Sequence, residues 1–210
     1  MNHWNDLSIA ILAGGQSTRM GQDKAALEVQ GEAMLLRIAR LALLTGAPLC
    51  IVGRERPLNG AFVNGDEYEF RHREVKFLLD EAPGLGPLGG LLSALRWNAQ
   101  SIHRRPCLLL LPCDLPLLES SALEWIADAA STCSAAHGLA TTRAGMLEPM
   151  FSVYDARVEE HAREYLQSGR RSLHGLIESG DFGRVECPAE VAAQLFNCNT
   201  PEDLEEARRR

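Results

Sequence analysis

The sequence predicts an α/β protein in which an open, mostly parallel sheet carries helices on both faces. Short, almost continuously apolar runs bounded by Gly, Pro or Asp alternate with longer segments of helical period. Apolar runs of this kind are typical of parallel strands that are buried on both faces. The 210 residues suffice for one compact domain, and we expect residues 1–210 to form it, with two small domains as the alternative.

The predicted elements follow from these runs. Strands are predicted at residues 7–13, 49–52, 75–79, 107–111, 135–142 and 150–154, and helices at residues 34–45, 88–95, 121–130, 158–166 and from 201 onwards. Thr200 is a fitting N-cap for the final helix, and Pro201 suits its first position. The polar residues 59–73 predict a long excursion between strands. Repeated βαβ units imply right-handed crossovers, so we expect a ligand site at the carboxyl ends of the strands.

Composition narrows the class of partner. The chain has 21 basic and 28 acidic residues, and its net charge of −7 disfavours non-specific binding to nucleic acid or anionic membranes. No apolar run approaches the roughly 20 residues of a membrane span. The first residues lack the features of a signal or transit peptide, so we expect a cytoplasmic protein. The six cysteines form no C-x-x-C pair, which argues against a zinc site or a disulfide framework.

A glycine-rich loop follows the first predicted strand. Residues 12–24 read Leu-Ala-Gly-Gly-Gln-Ser-Thr-Arg-Met-Gly-Gln-Asp-Lys. Paired Gly14 and Gly15 allow backbone N–H groups to approach an anion closely, and Arg19 and Lys24 add two cations. The loop therefore predicts phosphate binding, although it is not a Walker A sequence, because Lys24 does not follow a glycine directly. A flexible turn with surface charges is the alternative.

A second glycine cluster offers a competing interpretation. Gly84, Gly86 and Gly89 match the dinucleotide fingerprint G-x-G-x-x-G, between a predicted strand and a helix. The fingerprint also needs an acidic residue about 20 residues further on, at the end of the next strand. Asp114 lies roughly 25 residues beyond the last glycine, a loose fit. Pro87 suits a helix start better than a loop that must donate N–H groups.

Two aspartates directly follow predicted strands. Asp80 and Asp114 would both project at the carboxyl edge of a parallel sheet, beside the first glycine loop. Mg²⁺ prefers one or two carboxylates together with substrate phosphates, so these side chains are candidate ligands. A helix cap or an Asx turn is the alternative role of each aspartate alone. No Ser-His-Asp or Cys-His arrangement points to covalent catalysis.

Taken together, four ordered motifs resemble those of the nucleotidyltransferase family that includes the molybdenum cofactor guanylyltransferases. The motifs are the loop at residues 12–24, Asp80 with Pro-Gly-x-Gly-Pro-Leu-x-Gly-Leu at 83–91, Pro-Cys-Asp-Leu-Pro at 112–116, and Asn-Cys-Asn-Thr-Pro-Glu-Asp-Leu at 197–204. The resemblance covers residues 7–207. It implies a Rossmann-like nucleotidyltransferase fold and the transfer of GMP from GTP to molybdopterin, with Mg²⁺ bound and pyrophosphate released.

The resemblance also implies which residues form the site. Nucleotide contacts would come from Leu12, Ala13, Gly14, Gly15, Lys24, Gly53, Asp80 and Asp114, catalysis from Lys24, Arg19 and Asp114, magnesium binding from Asp114, and contacts on the pterin side from Asn197 and Asn199. Gly53 departs from the pattern, because members of the family carry Asn after the second strand. That contact is lost here or is supplied by Arg54 or the backbone. Molybdoenzymes or cofactor insertion proteins are the implied protein partners.

Two alternatives to guanylyl transfer remain open. One is cytidylyl transfer to molybdopterin or another small phosphate, and the other is a non-catalytic nucleotide-binding module or a nicotinamide reductase. The run Leu-Ala-Gly-Gly at residues 12–15 and the pair Asp23-Lys24 resemble the guanylyl members. Related cytidylyl enzymes more often resemble Leu-Ala-Ala-Gly and Pro-Lys at these points, so we expect a preference for GTP.

Overall fold

A computed structural model describes residues 3–14, 23–54, 75–80 and 84–210. Its strands are β1 (Leu7–Leu12), β2 (Glu28–Val29), β3 (Glu32–Ala33), β4 (Leu49–Val52), β5 (Val75–Leu78), β6 (Cys107–Pro112), β7 (Gly138–Arg143), β8 (Met146–Leu147), β9 (Ser152–Asp155) and β10 (Phe182–Glu186). Its helices are α1 (Met34–Leu44), α2 (Pro87–Gln100), α3 (Ser120–Ser131), α4 (Val158–Gln167), α5 (Leu173–Ser179), α6 (Ala189–Ala192) and α7 (Pro201–Arg209). Short 3-10 turns span His3–Asp6 and Lys24–Ala26.

Eight of the strands form one sheet. Their order is β10-β7-β9-β6-β1-β4-β5, and β8 pairs with β7 at its side. β1 runs parallel to both β4 and β6, and β5 continues the parallel arrangement beyond β4. β9 is antiparallel to β6 and to β7, whereas β2 and β3 form a separate hairpin. The prediction of an open, mostly parallel sheet is confirmed.

Apolar cores lie on both faces of this sheet. Because side chains alternate along a strand, Ile9 and Ile11 of β1 join a core with α1, α3 and α6, whereas Ala10 and Leu12 join a core with α2, α4 and α5. All six residues of β1 are buried. A smaller core packs Leu204 and Ala207 of α7 against Val29 of β2 and Met34 at the start of α1. The helices therefore cover both faces, as predicted.

The second half of the chain differs most from the prediction. The predicted strand at 150–154 begins only at Ser152, because the preceding residues form a turn in which the Phe151 N–H donates to the Glu148 oxygen at 2.9 Å. Sequence reasoning missed β10 and α5. Charged residues interrupt the apolar pattern of β10, a strand at the edge of the sheet, and α5 has only seven residues. The excursion predicted at residues 59–73 lies outside the described residues.

Two further observations bear on the expectations from composition. All six cysteine thiols are free. Cys50, Cys187 and Cys198 are buried, as expected of small apolar side chains. In the parts of the chain that the structure describes, no helix combines the length and apolar character needed to cross a membrane.

We predict that Gly138→Ala will lower the free energy of unfolding by about 2–4 kcal/mol. Gly138 has a φ of +123°, and an added Cβ would lie 2.2 Å from the Val153 oxygen in the neighbouring strand. Urea unfolding measures the effect. Gly169→Ala is the matched control, because Gly169 also has a positive φ, of +82°, but no atom lies within 4 Å of its added Cβ. Equal losses in the two variants would contradict the prediction.

Candidate functional site

The carboxyl ends of the central parallel strands lie level at one edge of the sheet. Leu12 pairs with Val52 on one side and with Pro112 on the other, so β1, β4 and β6 end together. Beyond the strands, the Ala13 N–H still donates to the Val52 oxygen at 2.9 Å, and the Cys113 N–H donates to the Leu12 oxygen at 3.2 Å. The loops that follow therefore start from fixed positions.

Two glycines allow the first of these loops to lie against the second. Gly53 has a φ of +93°, and a Cβ built on it would lie 2.4 Å from the Gly14 Cα and 2.5 Å from the Gly14 nitrogen. A Cβ on Gly14 would in turn lie 3.0 Å from the Gly53 Cα. The close approach of the two backbones leaves no room for a side chain at position 53. It gives a physical reason for the glycine where the resembling family carries Asn.

Three of the predicted site residues meet at this edge. The Lys24 Nζ donates to the Asn199 Oδ1 at 2.6 Å and lies 3.5 Å from the Asp114 Oδ2. The side chains of Lys24 and Asp114 are only 20% and 19% exposed. Residues from three separate motifs, the first and last of them 175 positions apart, therefore form one polar cluster.

Burial and charge set the ionisation of this cluster. Burial raises the pKa of Asp114, and the positive charge of Lys24 opposes that rise. Burial also raises the pKa of the adjacent Cys113 thiol to about 12, with a further increase from the Asp114 charge and opposition from the Arg54 and Lys24 charges. Cys113 is thus a neutral thiol at physiological pH and has no thiolate with which to attack a substrate.

The last motif is positioned by the start of α7. Thr200 caps the helix by accepting from the Asp203 N–H at 3.1 Å, and Asp203 accepts from the N–H groups of Thr200 and Asn199, both at 2.8 Å. These bonds lower the pKa of Asp203, the Asn199 N–H first. The Cys198 N–H donates to the backbone carbonyl oxygen of Asp114 at 3.0 Å. The capping box therefore fixes Asn199 beside β6, while Asn197 is half-buried two residues earlier.

Asp80 lies at the same edge but not beside Asp114. β1 and β4 stand between β6 and β5, so three strand spacings, roughly 14 Å, separate the ends of β5 and β6. The strand order thus separates the two candidate ligands along the carboxyl edge. Among the described residues no group of three or more His, Cys, Asp or Glu side chains is arranged to hold a metal ion. Asp114 is left as the candidate ligand of that pair, beside Lys24.

The second glycine cluster opens α2. Gly86 is its N-cap with a φ of +61°, and Pro87 occupies the first helical position, as expected. After α2 the chain continues to β6, which is not a neighbour of β5, so Asp114 cannot supply the acidic residue of a dinucleotide fingerprint. Sequence reasoning missed Arg171, whose Nη1 lies 3.4 Å from the Gly84 oxygen. No motif spacing marked this arginine.

A cavity of about 770 Å³ lies at the opposite edge of the sheet. Its lining includes Leu49 and Val75, which begin β4 and β5, and Trp97 and Ser101 around the end of α2. None of the predicted site residues that the structure describes lines this cavity. The chemistry-bearing motifs thus point to the carboxyl edge, although the cavity is elsewhere. Two predicted site residues, Gly15 and Arg19, lie outside the described part of the chain.

The sequence matches known proteins over most of its length. The pattern of the MobA-like NTP transferase domain matches residues 9–182. A protein of Xanthomonas euvesicatoria named molybdenum cofactor guanylyltransferase is 34% identical over 196 residues, which are 91% of this chain and 89% of that protein.

Solved structures share the fold. The molybdopterin-guanine dinucleotide biosynthesis protein A of Archaeoglobus fulgidus superposes with a TM-score of 0.70 at 20% identity, covering 96% of this chain and 97% of that one. The 4-diphosphocytidyl-2C-methyl-D-erythritol synthase of Anaerococcus prevotii gives 0.63 at 14% identity, covering 97% and 96%. The predicted nucleotidyltransferase fold is confirmed, and because these identities are low, the two structures bear on the fold alone.

We predict that Gly53→Asn, although it introduces the residue that the resembling family carries, will weaken nucleotide binding at least tenfold, about 1.4 kcal/mol. A Cβ at this position overlaps the Gly14 backbone and so displaces the first loop. Calorimetric titration with GTP measures the change. Gly31→Asn is the matched control, because Gly31 also has a positive φ, of +80°, but open space around its Cβ. Tighter binding by Gly53→Asn would contradict the prediction.

Proposed function

Because this chain belongs to the MobA-like NTP transferase family, we propose that it transfers GMP from GTP to molybdopterin and releases pyrophosphate. The observation that carries the proposal is the meeting of Lys24, Asp114 and Asn199 at the carboxyl edge. It joins the nucleotide loop, the strand-end carboxylate and the C-terminal motif of the resembling family in one cluster. The names of the relatives support guanylyl transfer as the specific reaction.

The reaction needs alignment rather than a protein nucleophile. The terminal phosphate of molybdopterin would attack the α-phosphorus of GTP, forming a P–O bond as the bond to the leaving pyrophosphate breaks. Positioning and charge neutralisation supply the catalysis in such a transfer. The neutral Cys113 thiol at the same edge agrees with direct transfer, without a covalent intermediate on the enzyme.

Each part of the edge has a role in this scheme. The backbones of Leu12, Ala13 and Gly14 approach the nucleotide, and the Lys24 ammonium neutralises the phosphates and the leaving pyrophosphate. Asp114 and Asn199 already hold the Lys24 ammonium in position, so the phosphates of the nucleotide would bind a cation that needs little rearrangement. The remaining proposed residues are Gly15, Gly53 and Asp80 for the nucleotide, Arg19 for catalysis, and Asn197 and Asn199 on the pterin side.

The donor set also fits a bound Mg²⁺. This ion takes one or two carboxylates and completes its shell with phosphate oxygens and water, and the partly buried Asp114 carboxylate offers one such ligand. When bound, the ion would neutralise charge on the phosphates. Asp114 must be ionised to bind the ion. Burial disfavours its ionised form by raising the pKa, and the positive charge of the adjacent Lys24 opposes that rise.

The wider context is also part of the proposal. We assign residues 1–210 to a single domain, because the main sheet and the docked α7 together span residues 7–209. The substrates are GTP and molybdopterin, and molybdoenzymes or cofactor insertion proteins would receive the product. We place the reaction in the cytoplasm.

We expect Asp114→Ala to reduce kcat/KM for GTP at least about 100-fold, because it removes a metal ligand and the anchor of Lys24. Pyrophosphate release in the presence of molybdopterin and Mg²⁺ is the measurement. Asp128→Ala is the control, since the Asp128 side chain in α3 is 70% exposed and pairs only with His3 among the contacts of the described residues. Full activity of folded Asp114→Ala protein would remove Asp114 from the site.

The test of the reaction itself is the choice of base. We expect kcat/KM for GTP to exceed that for CTP at least tenfold, about 1.4 kcal/mol. Guanine offers a ring N–H and an exocyclic amine to a loop carbonyl or to the Asp80 carboxylate, and cytosine would leave part of these acceptors unpaired. Pyrophosphate release is measured with molybdopterin and GTP, CTP, ATP or UTP. Equal or better turnover of CTP would replace the guanylyl assignment with the cytidylyl one.

A further inference from the structure

We propose that Arg54 is a positioning residue, which acts through Asp23 to hold the turn that aims Lys24 at the phosphates. This inference rests on the proposed function, because it concerns how the nucleotide site is held in shape. Arg54 directly follows Gly53 at the end of β4, and its guanidinium forms an ion pair with the Asp23 Oδ2. Asp23 directly precedes Lys24. The ion pair thus ties the Lys24 turn to the sheet.

Asp23 uses both of its carboxylate oxygens. Its Oδ1 accepts from the Ala25 N–H at 3.1 Å and caps the 3-10 turn Lys24–Ala26, and its backbone oxygen accepts from the Ala26 N–H at 3.0 Å. The Oδ2 is the oxygen that pairs with Arg54. One carboxylate therefore shapes the turn with one oxygen and anchors it with the other.

Arg54 is itself fixed at both ends. Its backbone N–H donates to the Leu78 oxygen at 3.1 Å, which binds it to β5, and its side chain is only 18% exposed. The Arg54 Nε is buried and has no hydrogen-bond partner among the described residues. A buried N–H without a partner costs stability, so the Asp23 carboxylate is the acceptor that partly offsets the burial of the Arg54 guanidinium.

The consequence falls on Lys24. Its Nζ reaches Asn199 and Asp114 from a turn of only three residues, so a small rotation of that turn would move the ammonium away from both. Gly53 has no side chain and contacts the first loop only through its backbone, at Gly14. Arg54 supplies from the next position a side-chain contact to Asp23, which precedes Lys24.

A double-mutant cycle tests the inference. Arg54→Met keeps most of the apolar stem and removes the charge, whereas Asp23→Asn keeps an Oδ1 to cap the turn and removes the anion. The first readout is the exchange rate of the Ala25 amide hydrogen in the free protein, measured by NMR on alanine-labelled protein. We expect it to rise about tenfold in both single variants and no further in the double variant.

The second readout separates kcat from KM for GTP. Because a misdirected Lys24 weakens an interaction that matters most as the pyrophosphate leaves, kcat should fall about tenfold while KM changes less than threefold. Arg54→Lys, which keeps the positive charge, should recover part of the lost kcat. Arg157→Met is the control, because it removes an arginine–carboxylate pair with Asp155 that has N–O distances of 2.8 and 2.9 Å. Asp155 pairs with Cys107 at the start of β6, the end opposite the carboxyl edge.

The outcomes are distinct. Unchanged Ala25 exchange in Arg54→Met, or additive losses of kcat in the double variant, would overturn the inference, and additivity would indicate that Arg54 contacts the substrate directly. If the wild-type protein fails to turn over GTP, the proposed function fails. The exchange measurement on the free protein still decides whether Arg54 holds the turn.

Discussion

The fold and its candidate site depend on β1 lying between β4 and β6. Its six residues are buried, with side chains in both apolar cores and backbone groups bonded to a parallel strand on either side. This arrangement satisfies the polar backbone in an apolar interior, so the strand can be apolar on both faces. Because the three strands share one direction and end level, the loops with glycine, lysine and aspartate must leave at the same edge. The position of these residues at one edge therefore follows from the burial and hydrogen bonding of β1.

The central strands could be predicted because burial on both faces leaves short, continuous apolar runs bounded by Gly, Pro or Asp. β10 could not, because a half-exposed strand at the edge of the sheet carries charge in sequence and resembles a loop. The distance between Asp80 and Asp114 could not be predicted either. Each follows a strand in the same way, yet strand order separates them, and order is a property of the whole sheet. The sequence predicts which edge they share but not their distance.

The contact of Lys24 with Asn199 depends on two local devices and one long-range one. The Asp23 cap and the Thr200–Asp203 box shape the two short segments, and both can be read from residue types at fixed spacing. Their meeting requires the docking of α7 on the β2–β3 hairpin through a small apolar core. Gly53 is a second case in which a residue distant in sequence determines the local structure. Its departure from the family pattern is visible in the sequence, but its cause is the backbone of a residue 39 positions earlier, Gly14.

The span of this cluster along the chain has a consequence for biosynthesis. Lys24 and Asn199 are 175 positions apart, and a ribosome adding about 5–20 residues per second needs roughly 9 to 35 seconds to make the second after the first. Throughout that interval the lysine has no partner from the last motif, and β1 also waits for β6. A nascent chain therefore carries Lys24 for most of its synthesis without the groups that complete the edge. The cluster of Lys24, Asp114 and Asn199 forms only after α7 has been made and has docked.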